Sequence, residues 1–279
     1  MARNKLVAPV VKWVGGKRQI IDQISQYVPK NISTYYEPFF GGGAVLFELQ
    51  PKKAVINDIN KELINLYEVI KNNMEDLIED LKSHKNDEEY FYYIRELDRD
   101  KTSYNSLTPI QKASRIIFLN KTCYNGLFRV NKSGEFNAPF GRYKNPNIVN
   151  EITIRAVSNY FKKADITFMS KDFAEVLKGA RKGAFVYLDP PYDPVSDTAS
   201  FTGYDKGGFN REEQIRLKTV CDKLNEKGIR FLLSNSATDF IKDLYADYHI
   251  EIVKAKRAIN SNGDKRGEID EVLVMNFGR

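Results

Sequence analysis

The sequence predicts an α/β protein, a doubly wound sheet interrupted by a mostly helical insertion. Short apolar, β-rich runs alternate with helical patterns at both ends of the chain, and two of them stop at an acid, Asp58 and Asp189. A glycine-rich turn follows the first run and opens a helix. In the middle the alternation lapses, first into helical periodicity and then into a stretch rich in glycine, aromatics and bases. The expected division is a sheet domain of residues 1–60 and 161–279 around an insertion of 61–160, with a basic hairpin at about 120–144.

In chain order, Val7–Val14 is apolar apart from Lys12, and Gly15-Gly16-Lys17 opens a helix. Its face is Ile20, Ile21, Ile24, Tyr27 and Val28, and Pro29 stops it. Gly16-Lys17 is not a nucleotide P-loop, because Arg18 replaces Ser/Thr and Val11 stands at the first glycine position. A lysine and loop N–H groups at a helix start still suit a carboxylate or phosphate. Thr34–Glu37 reads as a strand, followed by Pro38-Phe39-Phe40-Gly41-Gly42-Gly43, where glycine lets backbone approach a ligand. Leu46 at the third glycine position departs from the dinucleotide fingerprint. Ala54–Asp58 is a second strand, ending 17 residues after Gly41 in an acid that can hold a ribose diol or, alternatively, cap a helix.

Helical spacing runs from Glu62 to Asp100, with 12 acids and 5 bases; residues 101–150 carry 8 bases and 1 acid. So sharp a split points the second stretch at a polyanion. It contains Tyr124-Asn125-Gly126-Leu127-Phe128-Arg129 and Asn131, then Lys132-Ser133-Gly134, which can cap a hairpin, then Pro139, Arg142 and Tyr143. Arg reads guanine, Asn reads adenine and aromatics stack on bases; the alternative is a solvated basic loop. Strands are expected again at Ile166–Met169, Ala184–Leu188, Ile229–Asn235, His249–Val253 and Val272–Met275, with helices at Glu212–Asn225 and Phe240–Tyr245. A long loop at 194–210, with Ser196, Ser200, Phe201, Thr202, Tyr204 and Phe209, suits a lid or contact surface. Lys254, Lys256, Arg257, Lys265 and Arg266 surround the turn signal Asn262-Gly263, as a phosphate-contacting loop or an exposed hairpin tip.

The chemistry concentrates at Asp189-Pro190-Pro191-Tyr192, directly after the Ala184–Leu188 strand. Proline ends the ladder, so a carboxylate, a free carbonyl and an aromatic face are presented at the carboxyl edge of a sheet. Asp189 and the Pro190 carbonyl can each accept one N–H of an exocyclic amine while Tyr192 stacks on the ring. With 279 residues, 42% hydrophobic and a net charge of +6, the chain is a mildly basic globular protein. Cys123 and Cys221 lie 98 positions apart and only His84 and His249 accompany them, which argues against zinc and for reduced thiols. No run of about 18 apolar residues suggests a membrane span, so the expected location is cytoplasmic.

Taken together, these segments resemble the Dam-type, α-group DNA adenine-N6 methyltransferases. The resemblance covers nearly the whole chain and rests on Lys12-Trp13-Val14-Gly15-Gly16-Lys17, Glu37–Gly43, Asn57-Asp58-Ile59-Asn60, Tyr124–Arg129, Gly134–Tyr143, Asp189–Tyr192 and Arg257–Glu271. It implies a Rossmann-like methyltransferase fold with a seven-stranded mixed sheet and an inserted DNA-recognition domain. It also implies S-adenosylmethionine as donor, no metal, and flipping of an adenine within GATC. By the same resemblance, Trp13, Lys17, Glu37, Phe39, Gly41, Gly43, Asp58, Asp172, Phe173 and Asp189 surround the donor, with Asp58 on its ribose. Lys12, Leu127, Arg129, Asn131, Pro139, Arg142 and Tyr143 face DNA, Tyr124 wedges into the duplex and Asn125 faces the orphaned thymine. Asp189, Pro190, Pro191 and Tyr192 carry catalysis. The implied partner is double-stranded DNA, acted on by a nucleoid-associated monomer, with a cognate restriction endonuclease left open.

Overall fold

The computed structural model describes residues 3–131, 133–195, 208–256 and 268–278. The expectations for Lys132, for Ser196, Ser200, Phe201, Thr202 and Tyr204, and for Arg257, Asn262-Gly263, Lys265 and Arg266 lie outside the described residues. The strands are β1 (Tyr35–Glu37), β2 (Lys53–Asn57), β3 (Asp165–Met169), β4 (Phe185–Leu188), β5 (Arg230–Ser236), β6 (His249–Lys256) and β7 (Glu268–Met275). They form one seven-stranded mixed sheet in the order β3-β2-β1-β4-β5-β7-β6. β1 pairs in parallel with β2 and β4, and β4 with β5, whereas β7 runs antiparallel to both β5 and β6. Five strands match their expected spans to within a residue or so at each end. β6 and β7 run longer, because their antiparallel ladder continues from His249↔Met275 to Lys256↔Glu268, past the polar residues at which hydrophobicity alone ends a strand.

The helices are α1 (Ile21–Gln26), α2 (Ala44–Leu49), α3 (Lys61–Asn72), α4 (Met74–Ser83), α5 (Glu88–Glu96), α6 (Lys101–Ser106), α7 (Pro109–Thr122), α8 (Glu151–Lys163), α9 (Phe173–Leu177), α10 (Arg211–Glu226) and α11 (Asp239–Leu244). Contacts divide the chain into two compact units. One comprises Met1–Gly16, Gly41–Lys52 and Asp58–Ser170; the other comprises Lys17–Phe40, Lys53–Asn57 and Lys171–Arg279.

In the first unit, the expected helical stretch from Glu62 to Asp100 is three helices, broken at Asn73 and at residues 84–87. α3 starts at an Asn60 cap whose side chain accepts from Glu62 N and Leu63 N, so Asn60 and not Asp58 takes the capping role. α7 begins with a full capping box, Thr108 with Gln111 around Pro109, and is buried along most of its length. It carries Arg115 into the interior. There the guanidinium donates to the carbonyls of Ile94 and Arg95 and pairs with Asp98 Oδ2 at 2.9 Å. Asp98 Oδ2 also accepts from Phe136 N at 2.8 Å, so this buried ion pair tethers the hairpin that follows. Arg115 therefore serves the interior, and one base of the stretch expected to meet a polyanion is not offered to it. The hairpin closes through Val130↔Phe136 and Asn131 N to Glu135 O, with Gly134 at φ +81°. Phe91, Ile94, Phe118, Leu119 and Phe136 form the core beneath it.

In the second unit, the start of the first expected helix is a 3₁₀ turn, Lys17–Gln19, and α1 proper begins at Ile21. The three-strand registers Tyr35↔Ala54, Tyr35↔Phe185 and Phe185↔Arg230 align the carboxyl ends of four parallel strands along one edge. Glu37 ends β1, Asn57 ends β2, Asp189 follows β4, and Ser234–Ser236 end β5.

Candidate active site

At that edge the Asp189 carboxylate is held on one oxygen. Lys17 Nζ lies 2.8 Å from Oδ1, and Ser234 Oγ donates to the same oxygen at 3.0 Å. The Lys17 side chain is only 6% exposed and that of Asp189 20%. The lysine at the start of the first helix thus meets a carboxylate of its own chain. Lys17 Nζ also sits 4.6 Å from the centroid of the Tyr192 ring, and the Tyr192 hydroxyl donates to Glu271 Oε2 at 2.8 Å. Burial pushes the Asp189 carboxyl above its ordinary range, while Lys17 and Ser234 pull it back. Burial raises Glu271 as well, opposed by Lys17 and the Tyr192 hydroxyl. The Pro191 carbonyl accepts from Gln214 at 2.8 Å, whereas among the described residues no donor is paired with the Pro190 carbonyl. Behind the motif, Asp193 is buried and joined to Asn235, Arg211 and Thr238, which fixes the course of the chain after Tyr192.

In the same unit Glu37 is buried and accepts from the Tyr35 hydroxyl at 2.8 Å. Phe39, Phe173 and Phe209 cluster with ring centroids 5.3–5.7 Å apart. Asp172 caps α9 through Ala174 N and binds Arg216 through both oxygens, at 3.0 and 2.7 Å. That guanidinium holds its carboxyl below the usual range and itself lies 4.1 Å over the Phe173 ring. Asp172 is therefore committed to its helix and to Arg216, while Phe39 and Phe173 present a ring surface.

The first unit contains the glycine turn. Asp58 accepts from Gly41 N at 2.8 Å and from Asn60 N at 2.9 Å, and burial raises its carboxyl against these two donors. Gly41 has φ +52°, and a Cβ there would lie 2.9 Å from Trp13 Cδ1; at Gly42 it would lie 3.1 Å from Trp13 Cβ. Gly43, with φ +71°, starts α2. Only glycine fits a turn that the indole covers so closely. Each Asp58 oxygen keeps a lone pair beyond its backbone bond, and the half-buried backbone of Gly41 and Gly42 lies beside it. This set fits a nucleoside-bearing donor.

Trp13 stacks on Phe128 at 4.5 Å and 22°. Next to it, Lys12 makes three hydrogen bonds, two to Asn120 of α7 and one to Asn125. Its N–H donates to Asn120 Oδ1, its carbonyl accepts from Asn120 Nδ2, and its Nζ donates to Asn125 O at 2.7 Å. Asn120, itself buried, also donates to Gly126 O. Tyr124 is 57% exposed, Asn125 adopts φ +57° with its N–H on the Tyr143 hydroxyl, and Tyr143 is exposed. Leu127 is half-buried. Pro139 O accepts from Tyr124 N, which ties the two arms of the loop together. Arg129 is exposed but fastened to Asn137 Oδ1 and O. Arg142 is exposed with Glu88 3.5 Å away. Asn131 builds the hairpin turn: its Oδ1 accepts from Ser133 N and Glu135 N, and its Nδ2 donates one N–H to Glu135 Oε2.

Sequence reasoning missed Ser234, Asn120 and the Trp13–Phe128 stack. Ser234 was visible as a polar residue in an apolar strand run. Nothing in the sequence linked Asn120 to Lys12, 108 positions away.

A carboxylate held at the carboxyl edge of parallel strands, beside an aromatic ring, is an arrangement that can accept the N–H of an exocyclic amine. The family described as D12 class N6 adenine-specific DNA methyltransferase matches residues 13–259, and the chain belongs to it. The type II methyltransferase M1.LlaDCHI of Lactococcus lactis subsp. cremoris is 43% identical over 100% of this chain and 99% of its own length. The type II methyltransferase M.MjaIII of Methanocaldococcus jannaschii is 45% identical over 97% and 99%. The DNA adenine methylase of Escherichia coli K12 is 34% identical over 95% and 94%. Membership implies S-adenosylmethionine as methyl donor and DNA as substrate. Among the described residues no helix is long and apolar enough to cross a membrane, and no group of three or more His, Cys, Asp or Glu could hold a metal ion.

Proposed function

We propose that this N6-adenine methyltransferase acts on an adenine flipped out of duplex DNA within the sequence GATC. The observation that carries the reading is the Asp189 carboxylate, anchored through Oδ1 by Lys17 and Ser234 beside the Pro190 carbonyl, with which no donor is paired among the described residues. Adenine N6 is a poor nucleophile, because its lone pair is delocalised into the ring. Asp189 and the Pro190 carbonyl each take one N–H of the amine, favour a pyramidal nitrogen, and stabilise the positive charge that N6 gains. This is a counterpart of the oxyanion hole with the sign reversed. Tyr192 stacks on the base. A base within the duplex cannot reach Asp189, so flipping is required, at a cost of a few kcal/mol. Tyr124 as a wedge, with basic groups on phosphates, offsets that cost.

S-adenosylmethionine, when bound, supplies an electrophilic methyl group on a sulfonium. Asp58 holds its ribose, and Trp13, Lys17, Glu37, Phe39, Gly41, Gly43 and Phe173 complete its surroundings. Lys12, Leu127, Arg129, Pro139, Arg142 and Tyr143 read or position the DNA from the recognition segment 61–160, and Asn125 meets the orphaned thymine. No metal takes part. The two relatives named type II methyltransferases support a cognate restriction endonuclease as partner. The enzyme works as a monomer on DNA in the cytoplasm. Treated plasmid is to be digested with endonucleases that differ in sensitivity to methylated GATC. Protection confined to those sites is expected; protection elsewhere, or none, refutes the site assignment.

A further inference from the structure

Two hydroxyls stand behind Asp189 in the sheet. Ser234 on β5 and Tyr187 on β4 are both fully buried, and the register Leu188↔Leu233 brings the next residues, Asp189 and Ser234, side by side. Ser234 Oγ donates to Asp189 Oδ1 at 3.0 Å, and the Tyr187 hydroxyl lies 3.0 Å from the same Oγ. A serine has one proton. Since that proton is donated to Asp189 Oδ1, Tyr187 must be the donor in its own bond to Ser234. The chain therefore has one polarity, Tyr187 O–H to Ser234 Oγ–H to Asp189 Oδ1, and it terminates on the Asp189 carboxyl group. Lys17 approaches the same oxygen. Among the described residues Asp189 Oδ2 takes no hydrogen bond.

We infer that Ser234, backed by Tyr187, is a positioning residue that pins Asp189 through Oδ1, leaves Oδ2 for the substrate amine, and keeps the carboxylate in its accepting form when the base excludes water. The inference rests on the assignment of Asp189 as the amine acceptor. A serine at this place in an apolar strand otherwise buries a polar group for no gain. The groups facing Asp189 are Lys17 from the 3₁₀ turn, Tyr187 from β4, Tyr192 from the motif and Glu271 from β7. Of these, only Lys17 and the serine–tyrosine chain favour its anion. A protonated Asp189 presents a donor where an acceptor is needed, so activity falls on the acid side. Loss of a donor to the anion moves that acid limb to higher pH.

The test is single-turnover methylation of a GATC duplex across pH, with donor and DNA saturating, for the full-length protein and for Ser234→Ala, Ser234→Thr and Tyr187→Phe. Ser234→Ala is expected to move the acid limb up by about one pH unit, the size of one hydrogen bond to a charged group. Tyr187→Phe is expected to move it the same way by less, and Ser234→Thr, which keeps the hydroxyl, to restore it. A limb unmoved in both Ser234→Ala and Tyr187→Phe, or a rate lowered equally at every pH, overturns the inference. Asp189→Ala separates the two levels. If it stays active, the amine-acceptor assignment fails. If it is dead while the limb stays put in the other variants, only the role of Ser234 fails.

Discussion

Replacing Gly41 with alanine probes the turn over Asp58 most directly. The new methyl group would lie 2.9 Å from Trp13 Cδ1, and alanine would have to hold φ +52°. The left-handed backbone costs an L-residue about 1–2 kcal/mol, and overpacking adds about 1–3 kcal/mol. The indole cannot simply lean away, because it is stacked on Phe128 at 4.5 Å. Gly134→Ala is the control, since Gly134 has φ +81° but no atom within 4 Å of an added Cβ. It isolates backbone strain, at about 1–2 kcal/mol. The clash with Trp13 is the difference between the two variants. Trp13 is the only tryptophan in the chain, so urea unfolding followed by its fluorescence reads both stability and the packing of that ring. Gly41→Ala should also weaken S-adenosylmethionine binding in calorimetry, and Gly134→Ala should not. If Gly41→Ala destabilises no more than Gly134→Ala and leaves the emission unchanged, the packing of Trp13 on the turn is refuted.

Three further outcomes concern Asp98, Asn120 and Arg129. Asp98→Ala strands the buried Arg115 and Phe136 N–H and should cost about 3–5 kcal/mol in urea unfolding; a loss under about 1 kcal/mol would contradict the tether. Asn120→Ala leaves the Lys12 main chain and the Gly126 carbonyl without their side-chain partner. It should cost about 1–3 kcal/mol and weaken DNA binding in a titration, while Asn120→Asp, which keeps only the acceptor, recovers part. Arg129→Ala should lower discrimination at one base pair by about 1–3 kcal/mol, read by competition between duplexes that differ at a single position; unchanged selectivity refutes its reading role.

The inner strands β1, β4 and β5 were legible in the sequence because each holds a short apolar run, and burial on both faces demands that composition. The Asp-Pro-Pro-Tyr motif and the glycine turn were legible for the same reason, since proline and glycine constrain backbone locally. What escaped depends on partners distant in sequence. A count of charges treats Arg115 as a solvated base, although its guanidinium is buried on Asp98. Asn131 looks like a base-reading amide, yet its Oδ1 is taken by the backbone of the hairpin turn. Asp58 looks like a helix cap, yet Asn60 caps α3 and Asp58 receives the glycine turn. Ser234 acquires meaning only when the parallel pairing of β4 and β5 sets it beside Asp189.

The central claim is that Asp189 accepts an N–H of adenine during methyl transfer. Duplex DNA containing GATC is to be incubated with S-adenosylmethionine labelled in its methyl group, hydrolysed to nucleosides and measured by mass spectrometry. Label on adenine N6 with the wild-type protein, and none with a folded, donor-binding Asp189→Ala variant, is the expected result. Label that never reaches adenine with the folded, donor-binding wild-type protein, or reaches it equally well without the carboxylate, would contradict the claim.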